Sequence, residues 1–427
     1  MLIGEKMGIG STMYLDIIDD TAPFSAGVFW MADIIFGRSH IASQILSFLL
    51  VFVQCIIFNS LLIRNNVYTK NTYVPSVVYG ILMSLSYEYY ILSPILMSQT
   101  FILLGLNSIF SHVEYRTKKD EVILNIGVYF GIATLFYLPS LIYYIITIIT
   151  FMLFTATIPR RYMLLSFGFA LPVTLVSIYF YYLDGLNNFL HFYLFNFIYF
   201  EQTSLLSSLA LWGYLIIPSI YFIFTLLKLT HRTRFTNFQY RLVQIMFISL
   251  LLVSLTYWIT SDKSPGMFMI LTPFLAFFIS HFFLLVKSRL VGELSFFIFI
   301  SVIVWINLGT FHNSGLLTSY MDIDPIKIAQ TEFDIDVKDK SVLFTGNNLN
   351  VYKSSRMATP YLNWKLSEEI LRNPNYYDNL SHIYHGFFKD LPELIIDQEG
   401  VMDGIFEMIP DLANKYEKIK DGKFRLK

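Results

Sequence analysis

The sequence has little cysteine and little charge. It contains a single cysteine, Cys55, and charged residues make up 14% of its 427 positions. One cysteine excludes an intrachain disulfide and a zinc site built from cysteine pairs. The 30 lysine and arginine residues are balanced by 31 aspartate and glutamate residues, so the net charge is −1 and there is no basic excess for binding nucleic acid.

Apolar residues fill most of the chain instead. They make up 55% of the sequence, its mean hydropathy is +0.56, and it holds 41 phenylalanines and 29 tyrosines. Water-soluble domains of ordinary composition do not reach such values. We therefore predict a polytopic membrane protein with many aromatic rings at the level of the lipid headgroups.

Apolar runs long enough to cross a membrane occupy residues 41–311. A helix needs about 20 apolar residues to cross roughly 30 Å of hydrocarbon. The runs predict an all-α membrane domain of about ten transmembrane helices. These helices cover residues 41–63, 73–91, 92–111, 122–138, 140–157, 163–182, 206–228, 242–260, 267–286 and 294–311.

Basic residues are concentrated in alternate loops of this domain. One set of loops carries thirteen, and the short loops of the opposite set carry only Lys263. By the positive-inside rule the first set is cytoplasmic, so residues 1–40 and 312–427 are expected at the outer face of the cytoplasmic membrane. The thirteen are Arg64, Lys70, Arg116, Lys118, Lys119, Arg160, Arg161, Lys228, Arg232, Arg234, Arg241, Lys287 and Arg289.

An N-terminus at the outer face needs a signal peptide or an apolar segment that carries it across the membrane. Residues 1–40 contain neither a signal peptide nor an apolar run of 18 residues. We therefore expect a transmembrane helix upstream of Met1. A short tail that crosses without such a helix is the alternative.

The C-terminal residues 312–427 have the composition of a soluble domain. From residue 314 onward the chain holds 14 of the 30 basic and 18 of the 31 acidic residues. Residues 341–346 and 393–398 are short apolar runs typical of strands, and residues 364–373 and 377–390 between them have helical spacing. The pattern predicts a small extracytoplasmic α/β domain with a parallel strand pair, followed by a short helix and a charged, solvated tail.

This domain contains no motif that indicates a particular reaction. It lacks a phosphate-binding glycine loop and a GxSxG elbow. Gly346, Asn347 and Asn348 follow a strand and form either a structural turn or a ligand-binding one. His382 and His385 have a spacing that suits a metal ion, but no third ligand is near, so partly buried or surface histidines are the simpler interpretation.

The N-terminal residues 1–40 are where chemistry is most expected. Asp16, Asp19 and Asp20 precede Pro23 and an apolar segment, residues 24–36, that is too short to span a membrane. We interpret the segment as an amphipathic helix at the outer interface, with Asp20 or Thr21 near its N-cap. A carboxylate there is suited to act as a general base toward a hydroxyl, while capping and solvating a loop is the alternative for each of the three.

This part of the sequence resembles the first extracytoplasmic loop of integral-membrane C-type (GT-C) glycosyltransferases. That superfamily includes protein mannosyltransferases, aminoarabinose transferases and RgtA/B/C/D-like enzymes. The similar stretch is GEKMGIGSTMYLDIIDDTAPFSAGVFWMADIIFGRSHIASQILS, with Tyr-x-Asp at Tyr14 and Asp16, the turn at Pro23 and Phe-Gly-x-Ser ending at Ser39. A later stretch, SDKSPGMFMILTPFLAFF, resembles the outer loop of the family in which a basic residue precedes Leu-x-Pro.

The resemblance implies an inverting transfer of a sugar from a polyprenyl-phosphate donor to a glycan, lipid or protein acceptor, as by a hexosyltransferase. It also implies a catalytic acid in the first loop, for which Asp16, Asp19 and Asp20 are the candidates, and a cation for the donor phosphate, which falls on Lys263. A snorkelling interfacial lysine is the alternative for Lys263. The best-known acid of the family precedes Tyr-x-Asp by a dozen or more residues, and Glu5 is the only acid left near that place.

Other residues of the predicted outer loops are candidates for lining a cleft. They are Glu88, His191 and Glu201, each of which also has a structural explanation as an anchor or a solvated group. The sequence indicates no metal site and leaves the need for a divalent cation open. A membrane transporter is one rival function, and it is disfavoured because the span centres carry almost no ionisable residues. A non-catalytic component of an envelope secretion or export system is the other.

Overall fold

The computed structural model describes residues 2–69, 71–115, 120–155, 157–195, 203–204, 206–232, 235–260, 262–311, 337–347 and 349–427. The chain divides into two compact units, which we describe separately. The helical unit comprises His40–Ile178 and Tyr199–Ile326. The polar unit comprises Met1–Ser39, Tyr179–Ile198 and Lys327–Lys427.

Long helices make up most of the described chain. The α-helices up to residue 311 are α1 (Leu2–Gly8), α2 (Pro23–Phe36), α3 (His40–Arg64), α4 (Val74–Leu82), α5 (Pro94–Tyr115), α6 (Asp120–Phe136), α7 (Leu141–Phe154), α8 (Pro159–Tyr182), α9 (Leu186–Phe189), α10 (Ser208–Arg232), α11 (Asn237–Ser254), α12 (Thr256–Ile259), α13 (Thr272–Leu285) and α14 (Arg289–Phe311). Two short parallel strands, β1 (Thr203–Ser204) and β2 (Asp262–Lys263), also pair in the helical unit.

Seven helical stretches within the described ranges are long and apolar enough to cross a membrane. They are His40–Arg64, Pro94–Val113, Pro159–Tyr182, Ser208–Leu229, Asn237–Trp258, Pro265–Leu285 and Arg289–Gly309. The prediction of an all-α polytopic membrane protein is confirmed. The remaining three predicted spans coincide with the shorter helices α4, α6 and α7, of 9, 17 and 14 residues.

The predicted span at residues 73–91 is not one continuous helix. Helix α4 ends at Leu82, and a 3₁₀ turn at Tyr87–Tyr90 follows. The Ser84 hydroxyl donates to the Ile81 carbonyl at 2.7 Å. Such a local side-chain bond competes with continuation of the helix, which explains why the apolar run is interrupted.

Small residues let helices of this unit approach closely. A Cβ added to Gly127 of α6 would lie 2.3 Å from the Leu165 carbonyl oxygen of α8, and one added to Gly168 would lie 2.4 Å from the Leu124 oxygen. Helices α6 and α8 therefore pack backbone against backbone, which is the usual role of small residues between membrane helices.

The C-terminal part of the polar unit is an α/β fold, as predicted. Its sheet has five strands in the order β4-β3-β5-β7-β6, with β3 parallel to β4 and β5, and β7 antiparallel to β5 and β6. The strands are β3 (Ser341–Thr345), β4 (Arg356–Met357), β5 (Leu394–Asp397), β6 (Tyr416–Lys420) and β7 (Lys423–Leu426), and the helices are α15 (Trp364–Arg372), α16 (Tyr377–Lys389), α17 (Met402–Met408) and α18 (Pro410–Ala413).

The charged end of the chain is a β-hairpin, so the prediction of a solvated tail was wrong. Asp421 and Gly422 form its turn, where Gly422 has φ 68°, a value that glycine adopts without strain. Strand β7 pairs with β5 and buries Phe424, while most other side chains of the hairpin face solvent. Charged residues are compatible with an edge hairpin because its outer face needs no apolar cover.

Candidate active site

The acidic N-terminal segment is folded and anchored by Tyr14. This side chain is fully buried, with its ring centroid 5.2 Å from that of Phe180 and 5.5 Å from that of Phe189. Its hydroxyl donates to the Thr21 carbonyl at 2.6 Å. Burial raises the pKa of Tyr14 well above its ordinary value, and Tyr193, Asp19 and Asp20 raise it further, so the hydroxyl keeps the proton that it donates.

The backbone at Tyr14 is strained. Its φ of 65° lies in the left-handed region, which non-glycine residues with large side chains seldom adopt. A short bridge between Met13 and Ile17 closes the turn around it. Such strain persists only where the surrounding structure imposes it, and it is found most often at functional sites. The aspartates after Tyr14 are therefore held in one backbone arrangement.

Asp16 has partners on both carboxylate oxygens. Lys389 of α16 lies with its Nζ 2.5 Å from Oδ1, and the backbone N–H of Thr12 donates to Oδ2 at 2.9 Å. For Asp16 to take a proton from a substrate hydroxyl, at least one of these contacts has to break. Asp16 therefore joins the N-terminal segment to α16.

Asp19 and Asp20 differ in exposure although they are neighbours. Asp19 is buried, and its Oδ1 accepts a hydrogen bond from the Thr21 N–H at 2.8 Å. This bond forms a turn just before α2, which starts at Pro23 with Ala22 as its N-cap and without a side-chain cap. Asp20 is exposed, and its Oδ1 accepts a 3.3 Å hydrogen bond from the Asn363 amide. Asp20 is the carboxylate that a substrate reaches most easily.

The N-terminal segment is bound to the C-terminal domain inside the polar unit. The Ile18 N–H donates to the Pro360 carbonyl at 2.7 Å, and the Asn363 N–H donates to the Ile18 carbonyl at 3.2 Å. Lys6 is buried and binds both the Met357 carbonyl and the Asp390 carboxylate. These contacts hold the aspartates against a folded domain.

Glu5, the acid nearest the position expected from the family, forms an ion pair. Its Oε2 lies 3.3 Å from Nη1 of Arg38, and the same guanidinium donates to the carbonyls of Ser355 and Tyr352. The arrangement fastens α1 to the segment before β4. The role of Glu5 in this arrangement is structural.

The short apolar helix α2 leaves a row of large side chains exposed. Five residues near its C-terminal end are between 40% and 65% exposed, which is unusual for a polar unit. Placement of this helix at a membrane interface stays a prediction. The five are Trp30, Met31, Ile34, Ile35 and Phe36.

The polar unit contains a cavity of about 670 Å³ beside Asp16. Its walls come from the N-terminal segment, from residues 356–360 and from α16. His382, which lines it, accepts or donates a 3.1 Å hydrogen bond with the Tyr361 hydroxyl. Burial lowers the pKa of His382, and the neighbouring His385 lowers it further.

Lys263 and Glu88 lie in the helical unit. Lys263 is in the loop between two candidate spans, with its Nζ 4.6 Å from the ring centroid of Tyr257 and 5.9 Å from that of Trp258. The aromatic rings stabilise an ammonium group at this place.

Glu88 binds the residues that directly follow Lys263. Its Oε2 accepts hydrogen bonds from the Ser264 hydroxyl at 2.7 Å and from the Gly266 N–H at 2.5 Å. A Cβ at Gly266 would lie 2.6 Å from this oxygen, so any other residue there would force the Glu88 carboxylate to shift. Burial raises the pKa of Glu88, and the two hydrogen bonds oppose that rise. Glu88 positions the loop that carries Lys263.

Two further residues, His191 and Glu201, were predicted to line a cleft. His191 is exposed in a π-helical turn, Leu190–Phe195, of the polar unit, and its ring contacts Phe192. Glu201 lies outside the described residues. Within the described ranges, no three His, Cys, Asp or Glu side chains are grouped so that they could hold a metal ion.

The sequence did not reveal the basic partners of the acidic segment. Lys389 and Arg38 follow no motif, and each pairs with an acid more than 30 positions away. Thr359, a cavity residue with φ 67°, also gave no signal in the sequence. The helical spacing of residues 377–390 was the one clue, because it places His382, His385 and Lys389 near one face of α16.

No protein-family model and no curated protein matches the sequence. The structure is similar to that of ArnT from Cupriavidus metallidurans in the apo state, with 13% identity and a TM-score of 0.47 over 68% of this chain and 55% of ArnT. It is similar to ArnT bound to undecaprenyl phosphate with 13% identity and a TM-score of 0.49, over 78% of this chain and 61% of ArnT.

The chain spans 55–61% of the length of the ArnT structures. The undecaprenyl phosphate was bound by ArnT. The activity, substrates and partners of the present protein are therefore given below as proposals.

Proposed function

We propose that the protein is a membrane glycosyltransferase that transfers a sugar from a polyprenyl-phosphate donor to an acceptor at the outer face of the cytoplasmic membrane. The observation that carries the proposal is the acidic segment, in which a strained, fully buried Tyr14 holds Asp19 and Asp20 in a fixed turn. A loop whose acids are merely solvated does not require a strained backbone. Pre-organised carboxylates are what general-base catalysis needs.

Among the three aspartates, Asp20 is our choice for the base. Asp16 is engaged on both oxygens, and Asp19 is buried in the turn that precedes α2. Asp20 is the exposed member of the three, and its Oδ1 accepts a 3.3 Å hydrogen bond from the Asn363 amide. In this assignment Asp16 and Asp19 are positioning residues that hold Asp20.

The chemistry is a single displacement with inversion at the anomeric carbon. Asp20 takes the proton of the acceptor hydroxyl while the hydroxyl oxygen forms a bond to the anomeric carbon. The bond from that carbon to the phosphate oxygen breaks, and its electron pair leaves with the polyprenyl phosphate. A cation lowers the barrier by stabilising the charge that develops on the leaving phosphate.

Lys263 is the residue to which we assign that cation. It is the only basic residue in the short loops predicted on the outer side, and Tyr257, Trp258 and the Glu88-bound loop fix its surroundings. Phosphate oxygens accept charge-assisted hydrogen bonds from an ammonium group. The resemblance of the loop to the basic loop of the C-type family supports the same role.

Purified protein in lipid nanodiscs tests the proposal. Polyprenyl-phosphate hexoses are supplied as donors, and release of polyprenyl phosphate is followed by mass spectrometry. The wild-type protein is expected to release it, and the triple variant D16N/D19N/D20N is expected not to. Absence of both donor binding and donor consumption by the wild type would overturn the proposal, and solute uptake by liposomes containing the protein would favour a transporter.

A further inference from the structure

The cavity beside Asp16 has the size of a ligand site. Its volume of about 670 Å³ lies within the range of about 300–1,000 Å³ that is usual for small-molecule pockets. Two ion pairs across its lining, Lys6 with Asp390 and Lys389 with Asp16, hold the N-terminal segment against α16. The two sides of the cavity are thereby in direct contact.

Thr359 in the cavity wall carries two unfavourable features. Its φ of 67° is in the left-handed region, which β-branched residues adopt only under constraint. Its side-chain hydroxyl is buried and has no hydrogen-bond partner among the described residues. Strained backbone and unsatisfied polar groups cost free energy, and in native proteins they concentrate at binding and catalytic sites.

The charges that line the cavity cancel. Three cations, Lys6, Arg356 and Lys389, face three acids, Asp16, Asp378 and Asp390. Lys6 pairs with Asp390 and Lys389 with Asp16, so these four charges cancel. Arg356 and Asp378 remain, and their charges are opposite. A site for phosphate or another strongly charged anion would have an excess of positive charge, and this site has none.

The groups that remain available suit a ligand that both donates and accepts hydrogen bonds. In the part of the chain that the structure describes, the side chains of Arg356, Asp378 and His385 form no ion pair or hydrogen bond. Arginine only donates, a carboxylate only accepts, and histidine does either. Sugar hydroxyls match such a mixture, and apolar residues such as Met357 and Pro360 provide contacts for the C–H face of a ring.

We propose that this cavity binds a neutral saccharide. Asp378 accepts hydrogen bonds from its hydroxyls, Arg356 donates to its oxygens, and His385 contributes a further bond. The identification of this saccharide as the acceptor of the sugar transfer rests on the proposed function, whereas its binding does not. Asp16, which lines the same cavity, connects this site to the acidic segment.

Binding is measured on the full chain in nanodiscs without any donor. The probes are glucose, mannose, galactose and maltose, with glucuronate and inorganic phosphate as charged comparators, and the readout is saturation-transfer NMR followed by titration. We expect at least one neutral sugar to bind more tightly than both comparators. R356Q and D378N are each expected to weaken it about fivefold, the effect of losing one hydrogen bond.

Matched variants serve as controls. R425Q removes an exposed arginine of β7, and D403N removes an acid from the first turn of α17, the position that Asp378 has in α16. Both are expected to bind like the wild type, and thermal melting verifies that all four variants are folded. The inference is overturned if no neutral sugar binds, if phosphate binds more tightly than every neutral sugar, or if R356Q and D378N bind as the wild type does.

The two proposals fail in different ways. Sugar binding without release of polyprenyl phosphate would contradict the transferase and leave the saccharide site standing. Release of polyprenyl phosphate without any sugar binding would contradict the saccharide site alone.

Discussion

Lys389 and Asp16 form an ion pair that joins two parts of the polar unit lying 373 positions apart in the sequence, with Nζ 2.5 Å from Oδ1. The Lys389 side chain is 63% exposed and that of Asp16 is 21% exposed. Water and salt screen a pair of this kind, so its interaction free energy is expected to be at most about 1 kcal/mol.

A double-mutant cycle on this pair tests its structural role. D16N, K389Q and the double variant are compared by thermal melting, with K353Q as the control because Lys353 is exposed and forms no ion pair among the described residues. D16N is expected to cost about 1–2 kcal/mol, since it also weakens the bond from Thr12, and to retain sugar transfer. Loss of transfer at unchanged stability would make Asp16 the base instead.

Tyr14 is expected to determine the stability of the acidic segment. Y14A removes a fully buried ring and should destabilise the protein by about 3–5 kcal/mol, while Y14F removes only the bond to Thr21 and should cost about 1 kcal/mol. Chemical denaturation followed by circular dichroism measures both. Y73A is the control, because Tyr73 is 77% exposed. A cost of Y14A no larger than that of Y73A would show that the segment is not anchored by this ring.

Lys263 is expected to affect donor affinity. K263Q should raise the KM for a polyprenyl-phosphate sugar about tenfold, because a charge-assisted bond to phosphate is lost, and K263R should restore most of the affinity. Steady-state kinetics in nanodiscs measures this, with K287Q, an exposed lysine of another loop, as the control. If K263Q and K287Q have the same KM as the wild type, Lys263 is merely an interfacial lysine.

His382 should make the stability of the polar unit depend on pH. Its pKa in the folded protein is lowered, so the unfolded chain takes up a proton first as pH falls. Stability from this group is therefore fully present above the ordinary histidine pKa of about 6.5 and decreases as pH falls below it. Melting temperatures between pH 8 and pH 5 measure the slope. H382Q is expected to flatten it and H191Q, at an exposed histidine, to leave it unchanged; equal slopes for H382Q and the wild type would refute the assignment.

Local sequence signals predicted much of the fold. The apolar runs at residues 341–346 and 393–398 are strands β3 and β5, and the periodic segments between them are α15 and α16. The hairpin of β6 and β7 was missed because five of the nine residues in its strands, YEKIK and KFRL, are charged. Only Asp421-Gly422 marks the turn in the sequence. Pairing of β7 with β5 makes this segment a strand.

The candidate site was predictable only in part. The sequence shows a cluster of three aspartates, Asp16, Asp19 and Asp20, before a proline. Their different environments were not visible, since Lys389 and Asn363 are supplied by distant segments. The left-handed backbone at Tyr14 and Thr359 likewise depends on tertiary contacts that no local pattern reports.

The rate of a single turnover by the D20N variant tests the central claim most directly. Wild type, D20N and D33N are mixed with a saturating polyprenyl-phosphate hexose and an acceptor sugar, and formation of the glycosidic product is followed in a quenched-flow instrument. Loss of a general base is expected to slow D20N about 100-fold or more, with donor affinity and melting temperature unchanged, while D33N, a neighbouring carboxylate on α2, stays at the wild-type rate. A D20N variant that transfers sugar as fast as the wild type would contradict the account.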